Sequence, residues 1–215
     1  MLMLERQPFA HSLGKIVCVG RNYAEHVLEL GNIIPERPLL FIKPATSATP
    51  MAQSIHLPQN QGSCHHEIEV AVLIGHKLTA ATTEQAINAI AGLGLGLDLT
   101  LRELQSALKK DGHPWERAKG FDGACPLSDF VDPQGFDLDN LHFSLQRNGR
   151  VQQQGCTADM LVAIPELIAE ISASFTLMPG DVVLTGTPAG VGPLALGDTL
   201  KLQLMNCLKI DTVVV

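Results

Sequence analysis

Apolar positions along the chain follow two spacings, one typical of strands and the other of helices. Short apolar or β-branched runs bounded by turn residues predict strands at 15–20, 39–43, 65–75 and 181–185, and alternating segments at 200–206 and 208–215 predict a final hairpin. Helical spacing predicts helices at 24–30, 83–90, 101–110 and 158–174, the last with Pro165 in its interior. The chain therefore reads as strand-rich, with a few short helices.

Two segments have more specific patterns. Residues 141–155 form two strand-like runs around Asn148-Gly149, a dipeptide that favours a tight hairpin turn. In 91–100 leucine alternates with glycine, which predicts a strand whose glycine face lies against other backbone and which ends at Asp98. Together with the short helices, these strands indicate an α+β fold class.

The 19 glycines and 13 prolines are spread along all 215 residues, and no Ser/Gly-rich or charged stretch divides the sequence. Domains commonly contain about 100 to 200 residues, so one domain over 1–215 is expected. Residues 1–14 precede the first strand-like run and are interpreted as an N-terminal extension.

Charge and cysteine usage exclude several classes of protein. The net charge is −7 without any Lys/Arg cluster, which argues against a nucleic-acid surface. The five cysteines are widely spaced and contain no C-x-x-C, so neither a zinc knuckle nor a disulfide framework is predicted. No apolar run approaches the roughly 20 residues of a membrane span. These features predict a cytoplasmic protein with no membrane and no nucleic-acid partner.

Three carboxylates suggest a metal site. Glu67 and Glu69 are two residues apart in a strand-like segment, so both side chains lie on one face. Such a pair is solvated, shares a proton or holds a cation between its members. Asp98 ends an apolar segment where a solvated charge is unexpected, which favours the cation. Carboxylate oxygens without clustered thiolates select magnesium, manganese or calcium.

Other polar motifs are less specific. The string His65-His66-Glu67 is not the H-E-x-x-H of a zinc peptidase, and His66 is expected to point away from the acidic pair. Neither glycine-rich stretch has the spacing of a nucleotide-binding loop. The loop at 185–192 can nevertheless present backbone N–H groups and the Thr187 hydroxyl to an anion.

Several strings, in their order and spacing, resemble the fumarylacetoacetate hydrolase superfamily, above all its small acylpyruvase and oxaloacetate decarboxylase or tautomerase members. They are VGRNYAEH, FIKP, HHEIEVAVLIG, LDLTLRELQ, PWERAKGFD and VVLTGTPAGVG. The resemblance implies one catalytic domain with a mixed β-roll or sandwich, peripheral short helices and a homodimeric assembly. It also implies Mg²⁺ or Mn²⁺ held by Glu67, Glu69 and Asp98.

The resemblance further implies roles for other residues. His26 and Glu29, on a short lid helix, match the pair that carries the proton chemistry of acylpyruvase-like members. Residues matching positions around the substrate are Arg102, Gln105, Lys119 and Thr187, with Lys119 counted among the catalytic residues and Arg21 and Lys43 as further candidates. The chain departs from the family pattern at Glu103, where aspartate is common, and at 155–157, which leaves the exact substrate open.

The function implied is metal-dependent chemistry on a 2-oxo acid. The main hypothesis is hydrolytic C–C cleavage of an acylpyruvate, in which the metal stabilises the developing enolate and His26, oriented by Glu29, activates water. The alternatives are an oxaloacetate decarboxylase or keto–enol tautomerase, and an isomerase or decarboxylase of aromatic degradation. A metal-stabilised binding protein without turnover is the alternative outside enzymes.

Overall fold

The computed structural model describes residues 1–215 and contains sixteen strands, five α-helices and two 3₁₀ turns. The strands are β1 Met3–Leu4, β2 Gln7–Pro8, β3 Ile16–Gly20, β4 Leu39–Lys43, β5 Ala48–Pro50, β6 Cys64–His66, β7 Ile68–Ile74, β8 Ile90–Leu97, β9 Thr100–Leu101, β10 Cys125–Leu127, β11 His142–Arg147, β12 Arg150–Cys156, β13 Val182–Leu184, β14 Gly192–Pro193, β15 Thr199–Leu204 and β16 Leu208–Val213. The helices are α1 Ala24–Glu29, α2 Thr83–Asn88, α3 Arg102–Lys110, α4 Glu116–Lys119 and α5 Ile164–Ser174, and the 3₁₀ turns are Ala45–Ser47 and Thr157–Asp159.

The strands form four sheets, of which the largest has seven strands in the order β4-β3-β13-β7-β8-β10-β5. Its pairs β3–β13 and β5–β10 are parallel and the others are antiparallel, so the sheet is mixed. A four-stranded sheet, β12-β11-β15-β16, contains both predicted hairpins, and β14-β6-β9 and β1-β2 form smaller sheets. The prediction of a strand-rich α+β fold with a mixed sheet and short helices is confirmed.

The core lies between the sheets and under α5. All seven residues of β7 are buried, because this strand lies between β13 and β8 and has side chains covered on both faces. On α5 the buried residues Ile164, Leu167, Ile168 and Ile171 have the i, i+3, i+4, i+7 spacing of one helical face. Each fully buried aliphatic side chain stabilises the fold by about 1.5–3 kcal/mol. No helix is long and apolar enough to span a membrane.

The Asn148-Gly149 hairpin is confirmed. Asn148 has φ 52° and Gly149 has φ 76°, the left-handed pair that a two-residue turn requires, and Arg147 pairs with Arg150 across it. The strand predicted for the Leu-Gly segment is present as β8, but the prediction that its glycine face lies against backbone needs correction. A Cβ at Gly96 would come within 2.5 Å of the Leu184 side chain, so the glycine face contacts side chains as well as backbone.

Two predicted boundaries were wrong. The strand predicted at 65–75 is broken at Glu67, so that β6 and β7 belong to different sheets. The helix predicted at 158–174 begins at Ile164, and Pro165 lies in its first turn. A proline there loses no helical hydrogen bond, because the first N–H groups of a helix have no partner within it. Proline thus marks the start of α5, whereas the prediction placed it inside the helix.

Candidate active site

The three candidate metal ligands meet because β7 and β8 are antiparallel neighbours. Ile68 pairs with Leu97, so Glu67 just before β7 lies beside Asp98 just after β8, and the Asp98 N–H donates to the Glu67 carbonyl at 2.8 Å. Each of Glu67, Glu69 and Asp98 offers one carboxylate oxygen, and these oxygens lie within 4.8 Å of one another. All three residues are buried. We call this cluster the acidic floor.

Two buried lysines accompany the acidic floor. The Lys119 ammonium donates to Asp98 Oδ2 at 2.5 Å, to Thr100 Oγ1 at 2.7 Å and to Glu67 Oε2 at 3.0 Å. The Lys43 ammonium lies 2.8 Å from Asp98 Oδ1 and donates to the carbonyls of Ala124, Leu99 and Lys119. These contacts tie the floor to β4, α4 and the segment before β10.

The two glutamates differ in their electrostatic surroundings. Burial works against ionisation of Glu67, but Lys119 and then Arg102 hold the pKa of this carboxyl well below its usual range. Burial, followed by the Asp98 charge, raises the pKa of Glu69 well above its usual range, although the Gly186 N–H donates to Glu69 Oε2 at 2.6 Å. Burial opposes the charge of Lys119, and Asp98 and Glu67 nevertheless raise its pKa. Glu69 is the carboxyl that lacks a cationic partner.

The acidic floor fits a hard divalent cation. Asp98 Oδ1 is buried and accepts no hydrogen bond of normal geometry. The donor set consists of carboxylate oxygens alone, the ligands that Mg²⁺ and Mn²⁺ prefer. A cation there would also relieve the repulsion that raises the pKa of Glu69. Glu67, Glu69 and Asp98 are therefore the candidate ligands.

His26 and Glu29 lie on α1, which follows β3. His26 Nδ1 lies 3.2 Å from Glu29 Oε2, and Glu29 Oε1 accepts the Gly190 N–H at 3.0 Å. Glu29 thus bridges the imidazole and the loop at 185–192. With Nδ1 facing Glu29, the Nε2 atom of His26 is the ring nitrogen left to face a ligand.

The turn before α1 is held by Asn22. Its amide donates to the carbonyls of Thr185 at 2.9 Å and Val162 at 3.0 Å, and its Oδ1 accepts the Val162 N–H at 2.9 Å. Arg21 adopts φ 64°, a left-handed conformation uncommon for a residue with a side chain. The guanidinium of Arg21 donates to Asn32 Oδ1 and the Ile33 carbonyl. We call residues 21–34 the lid.

Arg102 and Gln105 lie on one face of α3. Arg102 donates from Nη2 to Glu67 Oε1 and from Nη1 to Gln105 Oε1 at 2.9 Å. Its Nε atom is buried and has no partner. Two of the five N–H groups of Arg102 are thus engaged, and the Nε–H is among those without a partner.

Thr187 belongs to a network that sequence reasoning missed. Its hydroxyl donates to the Ile68 carbonyl at 2.8 Å and accepts from Gln153 Nε2 at 2.7 Å. The Gln153 carbonyl oxygen faces His66 Nδ1 at 2.9 Å and accepts the Ile68 N–H. His66 thus pairs with Gln153 and is absent from the set of candidate ligands. Gln153 lies on a strand distant in sequence, and nothing in its local pattern distinguishes it.

One cavity brings most of the predicted residues together. It is lined by Arg21, His26, Glu67, Glu69, Asp98, Arg102, Gln105, Lys119 and Thr187, and also by Lys109 and Trp115, for which no role at the site was predicted. Glu29 lies behind His26, and Lys43 lies behind Asp98. Lys43, the last residue of β4, was a further candidate through the family resemblance.

Neither departure from the family pattern lines this cavity. Glu103 points to the other side of α3 and accepts from the Ser63 hydroxyl at 2.7 Å and the Ser63 N–H at 2.9 Å. Cys156 lies 3.5 Å from Asn140 Oδ1 on the hairpin. Both residues act away from the acidic floor.

The fold and the cavity define an α+β enzyme whose candidate site opens at the ends of strands in a mixed sheet. Residues 15–215 match the family model described as fumarylacetoacetate (FAA) hydrolase C-terminal. The chain therefore belongs to the fumarylacetoacetate hydrolase family, as its motifs predicted.

Known relatives and structures agree with this assignment. The chain is 54% identical over 192 residues to Oxaloacetate tautomerase YcgM of Escherichia coli strain K12, covering 88% of each protein. A crystal structure from Oleispira antarctica has a TM-score of 0.98 at 54% identity, covering 100% of this chain and 99% of that one. Fumarylpyruvate hydrolase from Pseudomonas aeruginosa, in complex with Mn²⁺ and pyruvate, has a TM-score of 0.93 at 31% identity, covering 100% and 94%.

Proposed function

We propose that this enzyme is a divalent-metal-dependent oxaloacetate keto–enol tautomerase. The observation that carries the proposal is the His26–Glu29 pair, whose His26 lines the same cavity as the acidic floor. The 54% identity to a relative named as an oxaloacetate tautomerase favours this reaction over the acylpyruvate hydrolysis that the sequence first suggested.

Tautomerisation moves one proton between C3 and the 2-oxo oxygen of the substrate. His26 is buried, and its Nδ1 faces the Glu29 carboxylate, so Nε2 is suited to take the proton from C3 and deliver it to the 2-oxo oxygen, or to carry it from the enol oxygen back to C3. Glu29 holds the ring and favours the imidazolium that forms when the proton is transferred. This step requires no activated water, unlike hydrolysis.

The substrate's carboxylate and 2-oxo group would lie over the acidic floor, beside Arg102, which lines the same cavity. Glu67, Glu69 and Asp98 would hold Mg²⁺ or Mn²⁺, which supplies Lewis-acid polarisation of the 2-oxo group when bound. The three hydrogen bonds of Lys119 use all the N–H groups of its ammonium. We therefore assign Lys119 to charge compensation and not to proton delivery.

The Thr187 hydroxyl is an acceptor toward the cavity, because its own hydrogen is committed to the Ile68 carbonyl. It suits a protonated enol oxygen better than a carboxylate. Gln105 orients Arg102 through its side-chain carbonyl. These residues and Arg21 complete the proposed substrate site.

Hydrolysis of an acylpyruvate is the second candidate, supported by the fumarylpyruvate hydrolase that has the same fold with Mn²⁺ and pyruvate. Decarboxylation of oxaloacetate would use the same binding mode. We further propose that the protein is a homodimer and that it is located in the cytoplasm. The cytoplasmic location is supported by the five cysteines, which are all free thiols.

The experiment starts from enol-oxaloacetate dissolved in an aprotic solvent and diluted into buffer with the Mg²⁺-loaded enzyme. The enzyme should accelerate the loss of the enol ultraviolet absorbance. A coupled malate dehydrogenase reaction, which consumes the keto form, should speed up to match the rate at which the enol is lost. EDTA should remove the acceleration, and added Mg²⁺ or Mn²⁺ should restore it.

A parallel lactate dehydrogenase assay detects pyruvate and separates the candidates. Pyruvate from oxaloacetate would indicate decarboxylation, and pyruvate from acetylpyruvate would indicate C–C hydrolysis. The tautomerase proposal would be contradicted if the enzyme accelerated neither the decay of the enol nor the coupled reaction.

A further inference from the structure

Two cations in the wall of the cavity have no carboxylate partner. Lys43, Lys119 and Arg102 are all paired with the acidic floor. Lys109 and Arg21 line the same cavity, are more exposed than the floor, and form no ion pair. The protein thus holds two uncompensated positive charges between the floor and solvent, although its net charge is −7.

Lys109 lies in the last turn of α3, seven residues after Arg102 and therefore on the same helical face. Its ammonium lies 5.7 Å from the centroid of the Trp115 ring and makes no hydrogen bond. Burial, and next the positive charges of Arg21 and Arg102, lower the pKa of Lys109. These cations therefore lie close enough to repel one another, a repulsion that a bound anion would relieve.

Arg21 has donors to spare. Its guanidinium has five N–H groups, of which one contacts Asn32 Oδ1 at 2.9 Å and another contacts the Ile33 carbonyl at 3.2 Å. Both acceptors are neutral, so the charge of Arg21 is not compensated. The backbone of Arg21 has φ 64°, a left-handed conformation that is usually found for glycine or asparagine and is uncommon for arginine.

We propose that Lys109, together with Arg21, binds the second carboxylate of a dicarboxylic 2-oxo acid and so selects such substrates over monocarboxylic ones. The inference rests on the proposed function, which places the 2-oxo acid end of the substrate over the acidic floor. The far end of a bound molecule would then reach Lys109 and Arg21, which line the same cavity. A carboxylate there makes charge-assisted hydrogen bonds with both cations.

The test compares two ligands that share the 2-oxo acid end. Pyruvate lacks the second carboxylate, and 3,3-difluorooxaloacetate has it but carries no C3 hydrogen and cannot enolise. Their binding to the Mg²⁺-loaded enzyme is measured by calorimetry for wild type, Lys109→Met and Lys110→Met. Methionine preserves the apolar stem against Trp115, and Lys110, an exposed residue that does not line the cavity, provides a matched control.

We expect Lys109→Met to weaken difluorooxaloacetate binding roughly tenfold, the size of one charge-assisted contact, and to change pyruvate binding less than twofold. Lys110→Met should match wild type for both ligands. Equal weakening of both ligands by Lys109→Met, an unchanged affinity for difluorooxaloacetate, or wild type that binds it no better than pyruvate would overturn the inference.

These outcomes are separable from failure of the proposed function. Selective loss of the dicarboxylate in Lys109→Met, with no acceleration of oxaloacetate enol decay by wild type, would keep the substrate class and reject the tautomerase. Acceleration by wild type, with no selective loss, would keep the tautomerase and reject the role of Lys109.

Discussion

The acidic floor and the lid face each other across one cavity, but they are held in different ways. The floor lies at the ends of β7 and β8 within the seven-stranded sheet, and the Lys43 side chain behind it is 0% exposed. The lid exposes Leu28 to 73% and Ile33 to 82%. Backbone pairing and buried ion pairs fix the floor, whereas the lid is anchored by the buried side chains of Tyr23 and Val27 and by a few polar side-chain contacts.

Beside the buried Tyr23 and Val27, the lid is held by a small number of polar contacts. Glu29 binds the Gly190 N–H, Arg21 binds the 32–33 segment within the lid, and Asn22 fixes its first turn. Segments with few buried apolar contacts open locally at a small free-energy cost. The fold thus builds the charged floor within the sheet and places His26, the residue proposed to transfer the proton, on the more exposed lid.

The largest expected effect comes from breaking the floor with Asp98→Asn. The change leaves the Lys43 and Lys119 ammoniums buried without that carboxylate, and breaking a buried ion pair costs about 3–5 kcal/mol. Urea unfolding should show this loss, and calorimetry should show no Mg²⁺ binding, with turnover abolished. Asp122→Asn, at an exposed carboxylate, is the control, and an Asp98→Asn protein as stable as wild type would contradict the account.

A smaller effect is expected from the lid, with His26→Gln. Loss of a general base lowers turnover about 10²–10⁴-fold. Since His26 contacts Glu29 and makes no ion pair with the floor, Mg²⁺ affinity and the free energy of unfolding should stay close to wild type. Calorimetry and urea unfolding, run beside the enol assay, separate the two regions. A loss of metal binding in this variant would show that the lid and the floor are not independent.

The smallest expected effect is a pH dependence of Mg²⁺ binding, which concerns the floor and not the lid. Burial raises the pKa of Glu69 well above its usual range, so below that pKa the metal-free floor holds a proton that Mg²⁺ must displace. Mg²⁺ affinity should therefore fall as pH falls, by at most about tenfold per pH unit for one proton. Calorimetry in two buffers of different protonation enthalpy measures the proton release directly. Equal heats in the two buffers would rule out a protonated Glu69.

Most elements could be predicted from local pattern, and the errors have local causes. The Asn148-Gly149 turn was predictable because its backbone demands both residues at positive φ. The break at Glu67 was not, because the strand pattern continues through it and only pairing with different neighbours divides β6 from β7. Pro165 was placed inside a helix because the pattern does not show which side of a proline is helical.

The candidate ligands could be predicted because their spacing and surroundings are written in the chain. Glu67 and Glu69 share a strand-like segment, and Asp98 interrupts an apolar one. The partners of the floor could not be located in the same way. Gln153 and Lys109 were missed because their importance comes from distant contacts, with Thr187 and with the cavity wall.

The sequence by itself determined the family, the strand-rich class and the carboxylates suited to a hard cation, since these depend on residue type and short spacing. Only the tertiary structure decided that Lys119 is fully engaged, that Thr187 can only accept, and that Lys109 and Arg21 remain uncompensated. Hydrogen-bond capacity and ion pairing depend on which groups meet in space. Contacts between residues far apart in the chain cannot be inferred from local sequence, because they form only when the sheet brings the strand ends together.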